Sequence, residues 1–67
     1  MKTYDVHFND GSNSNCKGFK KSRGFCLDYI KSMNNGTHGS YFADYKGGTV
    51  SIVCNETGES VFETPVI

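Results

Sequence analysis

The sequence has no tryptophan, a single proline and no excess of either charge: seven basic residues stand against seven acidic ones. That balance removes any bulk electrostatic pull toward nucleic acid or an anionic membrane. No apolar run reaches the roughly 18 residues that a membrane-spanning helix needs. The opening segment, "MKTYDVHFNDG", lacks an apolar h-region, so no secretory signal is read there and a cytoplasmic location is expected. Cysteine is scarce and odd in number. Cys16, Cys26 and Cys54 include no Cys-x-x-Cys pair, so reduced, mostly buried thiols are expected rather than a disulfide framework.

The same spacing argues against a structural zinc site built from the three thiols and a histidine, because such sites use close ligand pairs. No metal ligands and no cofactor are therefore expected. "NDGSN" lacks the alternating oxygen ligands and closing glutamate of a calcium loop, and "GGT" lacks the lysine of a phosphate loop. Cys26 or Cys54 with His7 or His38 would give a thiol and a base, but no activating motif brackets them. Cys16 is the thiol expected to be most exposed. Asp5, Asp44 and Glu63 are placed on an open sheet face, which offers little means of raising a carboxyl pKa. No catalytic residue is assigned, and the expectation is that the chain is not an enzyme.

What is present is a pattern. Sixty-seven residues make one domain, 1–67, with a core small enough to favour help from a partner subunit. "TYDVHF" (3–8) alternates, with Tyr4, Val6 and Phe8 turned to the core and Thr3, Asp5 and His7 turned out. "NDGSNSN" (9–15) reads as a loop and "CKGF" (16–19) as a short strand pairing back on the first. Over 22–36 the apolar residues Phe25, Cys26, Tyr29, Ile30 and Met33 fall on one helical arc, with Ser22 as N-cap and Gly36 as a left-handed stop. Residues 40–64 read as three strands joined by turns at Gly47-Gly48 and Asn55–Gly58. In that register Tyr41, Ala43 and Tyr45 oppose Cys54, Ile52 and Val50; Ile52 opposes Phe62, and Val53 opposes Val61. The expected fold is α+β: one helix on a mainly antiparallel sheet of four or five strands, in the order β-(β)-α-β-β-β.

Two surfaces follow from this reading. On the sheet face away from the helix, Phe42, Val53 and Val61 line up in one row across three strands. Covering such a row removes ~1.5–3 kcal/mol of exposed apolar cost per side chain. It therefore reads as an interface for a protein partner or a second copy in a homodimer. The other surface is "CKGFKKSR" (16–23), where Lys17, Lys20, Lys21 and Arg23 crowd a helix amino terminus. That terminus already carries partial positive charge, so the segment suits an incoming anion or nucleic-acid backbone, with Phe19 available to stack on a base. The sequons at Asn35 and Asn55 read as turn residues.

With "SYFADYKGGTVSIVCNETGE" and the "CLDYIKSMNNGT" helix, the chain resembles the very small α+β proteins of bacteria and their mobile elements. The resemblance spans the chain and implies a binding role, such as occluding a larger protein's surface. It brings no functional residue with it. The first expectation is a non-enzymatic protein-interaction domain that can self-associate through an apolar sheet face or an edge strand. The second is a small nucleic-acid or anion binder that uses residues 16–23.

Overall fold

The computed structural model describes residues 2–35 and 41–67. The expected Gly36 helix stop and His38 lie outside the described residues. Four antiparallel strands form one sheet: β1 (Tyr4–Asn9), β2 (Ser14–Lys21), β3 (Thr49–Cys54) and β4 (Ser60–Pro65), in the order β2-β1-β3-β4. One main helix, α1 (Arg23–Met33), packs on one face, and a four-residue helix, α2 (Tyr41–Asp44), precedes β3. The α+β expectation is met, with four strands.

β1 lies between β2 and β3, and the alternation of "YDVHFN" gives it one covered and one open face. Val6 and Phe8 are fully buried on the helix side, while Asp5 and His7 face the other way. Val50 and Ile52 of β3 sit opposite Phe8 and Val6, and both are fully buried. Residues 10–13 form a tight corner between β1 and β2. There the Asp10 carboxylate accepts the backbone N–H groups of Ser12 (2.9 Å) and Asn13 (2.6 Å), which hold its pKa below the ordinary 3.8.

α1 begins where the sequence places it. The Ser22 hydroxyl accepts the Phe25 N–H at 3.2 Å, satisfying one of the free donors of the first turn. Cys26 and Ile30 of the expected arc are buried, and Tyr29 and Met33 pack on the core from its edge. The Asn34 side chain, just past the helix, donates to the Pro65 carbonyl (2.9 Å) and accepts from the Ile67 N–H (2.8 Å). The helix end is thereby tied to the segment following β4, where Val66 is buried.

Residues 41–44 depart from the expected three-strand meander. They are helical, so the pairings of Tyr41, Ala43 and Tyr45 with β3 do not exist, and β1 takes that edge of β3. The reason is in the side chains. Tyr41, Phe42 and Tyr45 share one helical face and close on Phe8, with ring centroids at 5.3, 5.0 and 5.8 Å. Ala43 and Asp44 remain exposed. A central aromatic ring with three aromatic neighbours outweighs a strand pairing that would have buried only part of them. Gly47-Gly48 accordingly closes the exit from α2 instead of a hairpin. The second turn is met in part: Gly58 has φ 74° and its N–H reaches the Cys54 carbonyl at 2.8 Å. Ile52 opposes Phe62 as expected, but the register shifts beyond it and Val53 opposes Ser60, not Val61.

Candidate functional site

The proposed apolar row does not exist as a surface. Phe42 is 3 % exposed, on the helix side, against Phe8 and Tyr29. Its inclusion in an interface is corrected: it is a core residue. Val53 remains half-buried, and Val61 is 38 % exposed in the shifted stretch of β4. Two valines separated by a register shift do not make a continuous apolar patch. The open sheet face is instead a polar trough of about 680 Å³, bordered by His7, Asn9, Thr49, Ser51, Val53 and Glu63.

The basic segment is brought together with aromatic rings. Lys17 opposes Val6, which turns it to the helix side of edge strand β2, and its Nζ lies 5.2 Å from the Tyr41 ring centroid. Lys21 Nζ lies 5.9 Å from that of Phe25. Phe19 meets Phe25 edge-on at 5.5 Å and Tyr29 at 4.9 Å, so the strand edge and the start of α1 form one ridge. Phe25 is 46 % exposed on it, although its helical position favoured burial. Arg23 opens α1 with no acidic residue in the first turn, and Lys20 and Arg23 are both exposed. Among the described residues none of the four cations makes an ion pair. Burial, with the neighbouring Tyr41, pushes the Tyr29 hydroxyl above its ordinary pKa and keeps it neutral within the ridge.

On the opposite face the sheet assembles a cluster that sequence spacing does not reveal. Asp5 and His7 are two apart on β1 and share a face, and His7 is the cross-strand partner of Cys16. Cys16 Sγ lies 3.4 Å from His7 Nε2 and 3.9 Å from Asp5 Oδ2. The outward direction of Asp5 and His7 was readable from the alternation. The pairing with Cys16 was not, because it depends on the loop geometry and on the register of β2. The arrangement is wrong for an activated nucleophile. Partial desolvation and the Asp5 carboxylate raise the Cys16 pKa, so the thiol keeps its proton.

The other thiols are placed differently. Cys26 is buried, donates to the Tyr4 carbonyl at 3.5 Å, and has its pKa raised by burial. Cys54 is 2 % exposed beneath the β3–β4 turn, where the Thr57 backbone N–H and hydroxyl lower its pKa. All three are free, and neither Cys26 nor Cys54 joins His7.

No helix among the described residues is long and apolar enough to cross a membrane. No protein-family model, curated protein or solved structure matches the chain. What the fold defines is therefore a class: a small α+β chain with one covered and one open sheet face.

Proposed function

We propose that this chain is a non-enzymatic protein-interaction domain that recognises an acidic segment of another protein through the cationic ridge of β2 and α1. The observation that carries the reading is the interleaving of Lys17, Lys20, Lys21 and Arg23 with Phe19, Phe25, Tyr29 and Tyr41, two of the lysines lying over rings. Cations that make no ion pair among the described residues, beside a half-exposed ring, offer both charge complementarity and an apolar anchor.

Self-association through a strand edge is the weaker use of this fold. β2 carries three lysines, a register shift opposite Asp5, and Lys20 at φ 52°. β4 carries Glu63, its own register shift and Pro65. Such features keep an exposed edge from pairing with another chain.

The test is fluorescence anisotropy of a labelled acidic peptide carrying one aromatic residue. Binding should weaken sharply at about 0.5 M salt, where the Debye length falls to about 4 Å. Reversing two of the three exposed cations together (K21E with R23E) should cost about tenfold or more, as expected for the loss of two exposed pairs at about 0.2–1 kcal/mol each plus new repulsion. Salt-independent binding, or an unaffected double variant, would sink the reading. The exposure of Phe25 among cations favours nucleic acid as a second reading, since a single-stranded base can stack on such a ring. A single-stranded oligonucleotide that binds while the acidic peptide does not would select it.

A further inference from the structure

The cluster on the open face has a use that the ridge does not explain. We propose that Asp5, His7 and Cys16 form a three-ligand site for Zn²⁺, with water in the fourth position. Tetrahedral zinc binds sulfur at about 2.3 Å and imidazole nitrogen or carboxylate oxygen at about 2.0–2.2 Å, which separates sulfur from either partner by about 3.6 Å. The thiol-to-imidazole and thiol-to-carboxylate distances of 3.4 and 3.9 Å bracket that value. All three donor atoms lie within 4.8 Å of one another, so small side-chain rotations bring them onto a single ion.

The carboxylate is held for this task. Asp5 Oδ1 accepts the Lys20 N–H at 3.0 Å and the Asn55 Nδ2 amide at 3.2 Å, while Oδ2 faces the thiol. Asn55 is fixed in turn by Thr3 Oγ1 at 3.0 Å. One oxygen is thus anchored by two donors and the other left toward the metal position, the usual division of labour between a ligand and its supporting shell. The Lys20 N–H comes from the register shift in β2, at the one non-glycine residue with positive φ among the described residues. A strained backbone that serves to orient a carboxylate is a common companion of a binding site.

The donor set selects the ion. A thiolate and an imidazole favour zinc or a neighbouring transition ion over calcium or magnesium, which take oxygen ligands. Binding releases the thiol proton to solvent, and the metal–sulfur bond replaces the sulfur–hydrogen bond with no change of oxidation state.

The experiment uses the reduced, metal-free full chain. One equivalent of Zn²⁺ should bind in competition with a chromophoric chelator. Co²⁺ should give the thiolate charge-transfer and tetrahedral visible absorption bands of a sulfur-ligated site. C16S and H7Q should each weaken binding by more than the ~10–100-fold that loss of a supporting residue costs, and N55A should fall within that range. Alkylation of the wild-type chain keeps the test independent of variant folding. Zn²⁺ should protect Cys16, and Mg²⁺ should not. Absence of stoichiometric binding, Co²⁺ spectra without a thiolate band, unchanged affinity in C16S, or unprotected Cys16 would each overturn the proposal.

Discussion

Gly48 shows how a single residue is constrained by a neighbour far away in the chain. A Cβ built on it falls 2.5 Å from the Asn9 carbonyl oxygen and 2.9 Å from the Asp10 Cα, both backbone atoms that cannot swing aside. Gly48 also donates to the Tyr45 carbonyl and accepts from the Val66 N–H, so it sits at the junction of the α2 exit, the β1 end and the C-terminal segment. G48A is expected to destabilise by about 1–3 kcal/mol or more, as overpacking does. Gly24, early in α1, has open space around its Cβ position and no positive φ. G24A should therefore stabilise by about 0.4–1 kcal/mol through lower unfolded-state entropy and better helix propensity. Denaturant midpoints of the two variants, moving in opposite directions from wild type, check the pair.

Among the elements, α1 was the most legible. Its cap is local chemistry: Ser22 is followed three residues later by the N–H it accepts, and nothing distant is required. S22A should cost about 1 kcal/mol, read as a lower urea midpoint with an unchanged m-value. β1 and β3 were also legible, because period-two alternation maps directly onto a sheet with one covered face. α2 was not. "SYFADYK" satisfies both an alternating and a helical pattern, and over four residues local propensity does not decide between them. The choice falls to Phe8, whose ring contacts with Tyr41, Phe42 and Tyr45 exist only when 41–45 coil back over the sheet end. The error in the proposed interface follows directly, since moving Phe42 from strand to helix moves it from the open face to the core.

For the whole molecule, the consequence is a test of where its stability resides. A chain of 67 residues has a total stability of about 3–10 kcal/mol. Phe42 is buried against Phe8 and Tyr29, and truncating such a ring costs about 3–5 kcal/mol. F42A is thus expected to leave a largely unfolded or barely stable chain, by circular dichroism and thermal melting. An exposed interface residue would change association and leave the melt alone. A variant that melts like wild type would return Phe42 to the surface. Lys17 and Lys21 lie on the helix side of β2 and the Asp5–His7–Cys16 cluster on the other, whereas Lys20 supports Asp5 through its N–H, so the separating variants avoid Lys20: K21E with R23E leaves the zinc ligands and that N–H in place, and C16S leaves the four cations.

The sequence by itself determined the features that depend on near neighbours. These are the alternating strands, the capped helix, the left-handed turn glycine at Gly58, and the charge concentrated in residues 16–23. Only the tertiary structure decided which strand lies beside which. That choice put β1 rather than residues 41–45 against β3, sent Phe42 into the core, and set Cys16 across from His7. The physical reason is that strand partners and ring contacts join residues distant in the chain, and their energies compare whole arrangements. Periodicity, which compares only adjacent positions, does not carry that information.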